Sequence, residues 1–245
     1  MNEYPAPATI VVPDIECFSR RSDLEQRLAR KEMYAWLSRA FGPLWSRCVH
    51  EDRGDGVLML WPQAEVPKVV VVSAVLRLPT TAPSGAAALR MRVAVHAGDV
   101  YRDERGFVGG DLNHACRLCD AAPLKAALRE ADGPVAYLFS DHVHQSIVQY
   151  GDPHIDPRTF HPVGVGGENG QVRSWLHVPG EDGVAARAAR AGTGRNAGDP
   201  PSRAGGTGGT GTTVFNNTAE GNGRVGVQGI VYGDARQGPG AVEAE

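Results

Sequence analysis

The segment Glu51-Asp52-Arg53-Gly54-Asp55-Gly56-Val57-Leu58-Met59-Leu60-Trp61 has the pattern of a tight β-hairpin that leads into a buried strand. Gly54 and Gly56 flank Asp55 with residues that tolerate positive φ angles, which favours a turn at this point. The apolar run at 57–61 is typical of a strand that is buried on both faces. We therefore expect the carboxylate of Asp55 to lie at the tip of the hairpin.

A second carboxylate follows an apolar run nearer to the N-terminus. Residues 8–13 are predicted to form a strand, and Asp14 comes directly after them. If the two predicted strands are neighbours in a sheet, Asp14 and Asp55 meet at adjacent strand ends. Two such carboxylates are sufficient to bind a divalent metal ion.

The composition divides the chain into a folded part and a glycine-rich part. From Gly180 onwards the 245-residue chain is rich in glycine and contains no Leu and no Trp. Such a stretch cannot bury enough apolar surface to fold. We therefore expect a folded domain at 1–179, a disordered Gly/Ala/Arg-rich linker at 180–212 and a low-complexity tail at 213–245.

Charge and cysteine usage limit the partners and the compartment. The formal net charge is −3 and the Lys and Arg residues are scattered, so we expect binding to neither nucleic acid nor an anionic membrane. No secretory signal or membrane span is recognisable, which predicts a cytoplasmic protein with free thiols. Cys116 and Cys119 have the spacing of a redox pair, but packing inside a helix is the preferred interpretation.

Hydrophobic periodicity predicts the other elements. Strands are expected at about 8–13, 46–53, 57–61, 89–96, 100–101, 106–108, 135–139, 159–165 and 172–178. Helices are expected from Ser22 to Gly42, from Pro67 to Leu78, from Asp111 to Leu128 and from Ser140 to Tyr150. Four successive valines also allow a strand after Pro67, but a helix is favoured. This order predicts an α+β domain with a mixed sheet that is covered by helices.

One predicted helix carries a pair of polar residues with ligand-binding character. Asn113 and Arg117 are four residues apart and therefore share a helix face. An Arg beside an amide suits the charge of a phosphoryl group together with a sugar oxygen. On spacing alone, a surface Arg with an N-terminal Asn is the preferred interpretation of the pair, and the neighbouring motifs reverse that preference.

Four segments, in the same order and at similar spacings, resemble motifs of the class III nucleotide cyclase family. They are Asp-Ile-Glu-Cys-Phe-Ser at 14–19, Gly-Asp-Gly at 54–56, Val-Ala-Val-His-Ala-Gly-Asp-Val at 93–100 and Gly-Asp-Leu-Asn-His-Ala-Cys-Arg-Leu at 110–118. The resemblance covers about residues 8–178 and implies the ferredoxin-like cyclase fold. It also implies a homodimer that converts a nucleoside triphosphate to a 3′,5′-cyclic nucleotide and pyrophosphate, in bacterial signalling or antiphage defence.

The resemblance assigns roles to individual residues. Asp14, Asp55 and the backbone carbonyl of Ile15 would hold two metal ions, Mg²⁺ or Mn²⁺, in each site. Asn113 would orient the ribose and Arg117 would stabilise the transition state, and both would come from the other subunit.

The positions that contact the base and the phosphates depart from the family pattern. Arg92 resembles an arginine that contacts the terminal phosphates, although an outward-facing strand Arg is the alternative. Glu51 alone would favour GTP, but its partner position is Gly106, which has no side chain, so ATP, CTP and UTP stay open. Residues 164–168 lack the Lys that often binds the triphosphate. A catalytically degenerate dimerisation or nucleotide-binding module is therefore the alternative function.

The tail has a pattern of its own. Residues 213–237 contain short, nearly uncharged segments with β-branched residues and amides, which can stack as cross-β ladders. The stretch 222–233, which includes Val225, Val227 and Gln228, resembles bacterial amyloid signalling motifs and the animal RIP homotypic interaction motif. Homotypic assembly with a signalling partner is the expectation, and an unstructured tail is the alternative.

Overall fold

An eight-stranded mixed sheet forms the centre of the protein, in a computed structural model that describes residues 4–82, 89–150, 155–167 and 170–194. The strands are β1 (Ala6–Ile15), β2 (Val49–Asp52), β3 (Val57–Pro62), β4 (Met91–Asp103), β5 (Gly106–Val108), β6 (Val135–Ser140), β7 (His161–Gly167) and β8 (Gly170–His177). Their order is β2-β3-β1-β4-β6-β8-β7, and β5 pairs with β4 as a hairpin. Strands β4 and β6 are parallel, and the other paired strands are antiparallel.

Helices cover both faces of this sheet. They are α1 (Asp23–Phe41), α2 (Lys68–Leu76), α3 (Gly110–Asp120), α4 (Ala122–Glu130), α5 (Asp141–Val143) and α6 (Asp182–Gly194). Helices α1 and α2 pack on one face and α3, α4 and α6 on the other, which produces two hydrophobic cores. Alternate residues of β1 enter the two cores, Val11 on the α1 side and Ile10 and Val12 on the α3 side. The mixed sheet covered by helices is the predicted architecture, and this prediction is confirmed.

Local sequence signals place the boundaries of the first two helices. Ser22 precedes α1 and forms a capping box with Glu25, whose carboxylate accepts the Ser22 backbone N–H at 2.7 Å. Helix α2 begins directly after Pro67, so the helical interpretation of the valine run is confirmed.

Two predicted helices differ from the observed ones. The helix expected at 111–128 is two helices, because the chain is extended at Ala121 and Pro123 starts a new helix in its first turn. The helix expected from Ser140 to Tyr150 has only one α-helical turn, α5, which continues as a π-helical turn at His144–Val148.

Helix α6 corrects the predicted start of the disordered linker. It occupies Asp182–Gly194, inside the stretch 180–212, and it buries Val184, Ala185, Ala188 and Ala189 against the α3–α4 side of the sheet. Gly192 packs so closely that a Cβ there would lie 2.9 Å from a side-chain atom of Pro123. The alanines that made this stretch look like a linker instead allow close packing of the helix.

No helix in the described part of the chain is long and apolar enough to cross a membrane. The predicted self-assembly segment at 213–237 lies outside the described residues.

Candidate active site

The C-terminal end of β1 adjoins the turn between β2 and β3, so the two predicted metal-binding aspartates lie on neighbouring segments. Asp14 forms an isolated β-bridge with Gly56, and the backbone N–H of Ile15 donates to the carbonyl oxygen of Asp55 at 2.8 Å. Gly56 permits this contact, because a Cβ there would lie 2.5 Å from the carbonyl oxygen of Pro13. The structure therefore joins the Asp55 turn directly to the strand end that carries Asp14.

Asp52 fixes the hairpin that carries Asp55. Its carboxylate accepts the Tyr34 hydroxyl at 2.7 Å and the Gly54 backbone N–H at 2.8 Å, and it also pairs with Arg30. Burial opposes ionisation of Asp52, but the hydrogen bonds from Arg30 and Tyr34 outweigh it and lower the pKa of this carboxyl. Helix α1, which carries Arg30 and Tyr34, therefore holds the base of the hairpin.

Asp14 is paired with Arg92 across the β1–β4 ladder. The two residues are register partners, and the Arg92 guanidinium donates to the Asp14 carboxylate. Burial raises the pKa of Asp14 to about 6, against the lowering effect of Arg92. The side chain of Arg92 is only 14% exposed, so the alternative of an outward-facing strand arginine is wrong.

The donor set at this strand end fits a magnesium or manganese ion. Asp14, Asp55 and the Ile15 carbonyl offer only oxygen atoms, which both ions prefer. Across the described ranges, no three His, Cys, Asp or Glu residues form a group that could hold a metal ion. Mg²⁺ is commonly bound through one or two carboxylates together with substrate phosphates, so two aspartates are an adequate protein contribution.

The two predicted base-contacting positions are in contact with each other. The Phe107 backbone N–H donates to Oε1 of Glu51 at 3.3 Å. Gly106 has a φ of +134°, and a Cβ there would lie 2.5 Å from the same Oε1 atom. The missing side chain at position 106 therefore makes room for the Glu51 carboxylate.

Asp111 anchors the start of the helix that carries Asn113 and Arg117. The helix was expected to begin at Asp111, but α3 begins one residue earlier, with Gly109 at the cap position and Asp111 inside the first turn. The carboxylate of Asp111 accepts the Asp99 backbone N–H at 2.7 Å and lies 3.2 Å from Nε2 of His96.

This anchor depends on two neighbours on β4. Gly98 must lack a side chain, since a Cβ there would lie 2.2 Å from the Asp111 carboxyl group. His96 is buried, and burial lowers its pKa to about 4, so the ring is neutral at physiological pH.

The buried face of α3 contains the second cysteine of the Cys-x-x-Cys pair. The Cys119 thiol donates to the Val12 carbonyl oxygen at 3.3 Å, and burial raises its pKa well above the usual value. Cys116 is half-buried beside Arg53, and both thiols are free. These contacts agree with a packing role for the pair.

The two predicted catalytic residues lie on the same helix, where Asn113 is exposed and Arg117 is half-buried.

Sequence reasoning missed the residues that support this site. Asp52 had a signal, since Asp-x-Gly before a turn often places the carboxylate on the N–H two residues later. Arg30 and Tyr34 share a helix face by spacing, but the sequence did not show what that face contacts. The Asp14–Arg92 pair depends on strand register, which the sequence did not specify.

Comparisons with known proteins show the fold. No family model and no curated protein matches the sequence. The guanylyl cyclase Cya2 superposes with a TM-score of 0.50 at 17% identity, covering 72% of this chain and 93% of that one. An adenylate/guanylate cyclase/hydrolase from Silicibacter pomeroyi also gives a TM-score of 0.50, at 19% identity, covering 72% of this chain and 98% of that one. The described part of the chain therefore has the fold of a class III adenylate/guanylate cyclase domain.

Proposed function

We propose that the protein is a nucleotide cyclase, which converts a nucleoside triphosphate to a 3′,5′-cyclic nucleotide and pyrophosphate. The observation that carries the proposal is the junction between Asp14 and Asp55 on a cyclase fold, where the Ile15 N–H binds the Asp55 carbonyl. This junction presents one carboxylate at the end of a central strand and one on the adjoining turn, and such an arrangement suits phosphoryl chemistry.

Asp14, Asp55 and the Ile15 carbonyl would hold two Mg²⁺ or Mn²⁺ ions. Bound there, the ions would acidify the ribose 3′-hydroxyl and neutralise the triphosphate. The protein's own contribution is to orient the reactants and to bind the charge that develops at the α-phosphorus. Asn113 would orient the ribose, Arg117 would bind the developing charge, and Arg92 would contact the terminal phosphates.

Glu51 would contact the base. Its carboxylate accepts hydrogen bonds, so it suits the N1–H and exocyclic amine of guanine, or the exocyclic amine of cytosine. The Phe107 N–H holds one of its oxygens, and Gly106 adds no second side chain to the pocket. Guanine offers Glu51 two adjacent donor groups, whereas each of the other three bases offers one, so we propose GTP in preference to ATP, CTP and UTP.

The active enzyme would be a homodimer in which each site combines Asp14 and Asp55 of one chain with Asn113 and Arg117 of the other. The exposed position of Asn113 on α3 supports a role across an interface. A two-fold dimer of this kind has two equivalent sites.

Two measurements test the proposal. Purified protein is incubated with Mn²⁺ and each of the four nucleoside triphosphates, and mass spectrometry is expected to detect one cyclic nucleotide.

Asp55→Ala and Arg117→Ala chains, each inactive alone, are then mixed. After subunit exchange, about half of the dimers are mixed and each has one intact site, so about a quarter of the activity should return. If exchange is demonstrated and no activity returns, the shared site is refuted.

One observation favours a second function, a non-catalytic cyclase-fold module that binds a nucleotide or only dimerises. Arg92 already neutralises Asp14, so the strand end is stable without any metal ion. In that case the tail at 213–237 would recruit the module into assemblies. Nucleotide binding without product from any of the four triphosphates would select this alternative.

A further inference from the structure

The guanidinium of Arg92 donates to Oδ1 of Asp14, one of the two oxygen atoms that a cation would bind. Both side chains project from the sheet face that carries Val12 and Ala94, beneath α3. The exposed fractions are only 14% for Arg92 and 17% for Asp14, so water screens the ion pair weakly. A divalent cation on the same carboxylate would face the charge of Arg92 at close range. A metal ion therefore competes with Arg92 for the carboxylate of Asp14.

Arg92 has a second carboxylate within reach. Asp120, the last residue of α3, has its Oδ1 atom 3.9 Å from Nη1 of Arg92, and its side chain is 74% exposed. The Nε atom of Arg92 is buried and has no hydrogen-bond partner among the described residues, so the resting position does not satisfy the whole guanidinium. A shift towards Asp120 would expose the guanidinium at the surface of the site.

A guanidinium in that outward position is suited to a polyphosphate. Its planar set of donors binds phosphate oxygens in pairs, which a Lys at the same place could not do. The same group therefore has two partners that exclude each other, the carboxylate of Asp14 and the terminal phosphates of a substrate.

We propose that Arg92 is a displaceable counter-ion that closes the metal site in the resting protein and is transferred to the triphosphate when metal binds. Metal and triphosphate then favour each other's binding. The metal ion takes Asp14 away from Arg92, and the triphosphate takes Arg92 away from Asp14. The inference rests on the proposed function in one respect, the assignment of Asp14 as a metal ligand.

The first test measures Mn²⁺ binding without nucleotide by isothermal titration calorimetry. Arg92→Gln is expected to bind Mn²⁺ about tenfold more tightly than the wild type, a difference of about 1.4 kcal/mol. Arg102→Gln is the matched control, because it removes the same charge from the same strand at an exposed site beside Phe107. This control should stay within about twofold of the wild type, in line with weak coupling between exposed charges.

The second test measures binding of inorganic tripolyphosphate in the presence of EDTA. Asp14→Asn should tighten this binding because it releases Arg92, and Asp14→Asn combined with Arg92→Gln should lose the gain. If Arg92→Gln does not fold, Arg92→Lys replaces it and is expected to show an intermediate gain in Mn²⁺ affinity.

The outcomes separate the inference from the proposed function. The counter-ion role alone is overturned if the wild type and Arg92→Gln bind Mn²⁺ with equal affinity. It is also overturned if Asp14→Asn gains as much tripolyphosphate affinity when combined with Arg92→Gln as it does alone. Absence of Mn²⁺ binding in every variant overturns the metal assignment itself. Turnover of the wild type, measured separately by mass spectrometry, then decides whether the cyclase proposal survives.

Discussion

Replacement of Asp52 by Ala tests whether helix α1 stabilises the hairpin that carries Asp55. The change removes the acceptor for the Tyr34 hydroxyl and for the Gly54 N–H, together with the partner of Arg30. Each of the two hydrogen bonds is worth about 1 kcal/mol. The Arg30 pair adds at most about 1 kcal/mol because 42% of that side chain is exposed. We therefore expect the free energy of unfolding to fall by about 2 to 3 kcal/mol.

Urea denaturation, followed by tryptophan fluorescence, measures this loss. Asp52→Asn should cost about half as much, since an amide oxygen still accepts the Gly54 N–H while the charge is lost. Asp156→Ala is the control, because Asp156 makes similar contacts with Arg158 on an exposed loop and should cost less than about 1 kcal/mol.

A loss below about 0.5 kcal/mol in Asp52→Ala would refute the reasoning. It would mean that Tyr34 and Gly54 find other partners, and that the turn at Asp55 holds its shape without α1. If the loss is as expected, Mn²⁺ affinity should fall in the same variant, because the Asp55 turn is then less well fixed.

Three further predictions concern the base, the pH dependence and the tail. Glu51→Lys should reduce GTP turnover by a larger factor than CTP or UTP turnover, and equal losses in steady-state assays would show that Glu51 does not contact the base. His96 has a folded-state pKa of about 4, below the value of about 6.5 in the unfolded chain, so the unfolded chain binds more protons between these values. Urea unfolding should therefore show stability falling from pH 6.5 towards pH 4, with a shallower fall in His96→Gln; identical slopes would contradict the buried neutral ring. A peptide of residues 213–237 should form fibrils that bind thioflavin T, and Val225→Asp with Val227→Asp should prevent them by stacking like charges. A wild-type peptide that stays monomeric at high concentration would leave the tail as a spacer.

The sequence predicted most of the strands and the first helices well, for a physical reason. The break expected between 96 and 100 is absent, because β4 runs continuously over Met91–Asp103. Strands such as Val57–Pro62 and Val135–Ser140 are buried on both faces, so their apolar runs are continuous and bounded by turn residues. Helix α1 has a strong start signal in the Ser22 capping box. These features depend only on residues that are close together in the chain.

The prediction of a linker from residue 180 was wrong, because it was based on the glycine and alanine content and not on the spacing of the buried residues. Helix α6 was taken for linker because its stretch is rich in Gly and Ala and lacks large apolar residues. Yet Val184, Ala185, Ala188 and Ala189 recur with helical spacing, and Ala and Arg are strong helix formers. A count of helical positions, rather than of glycines, would have detected this helix.

The candidate site was predictable only in part. The order and spacing of its motifs identified Asp14, Asp55, Asn113 and Arg117 as a group. The contacts that hold the group depend on the alignment of segments distant in the chain, such as the pairing of Asp14 with Arg92, 78 residues later. A one-residue change of strand register would abolish that contact without changing any local pattern.

The central position of β1 has a consequence for the synthesis of the protein. β1 is synthesised before the other strands of the described sheet, but it pairs with β3 and β4, and β4 begins only at Met91. Until β4 has left the ribosome, one edge of the strongly apolar β1 has no partner, and an unpaired edge promotes aggregation. Shortened N-terminal fragments should therefore be insoluble. Expression trials should keep residues 4–194 together, so that every strand of the sheet finds its neighbour.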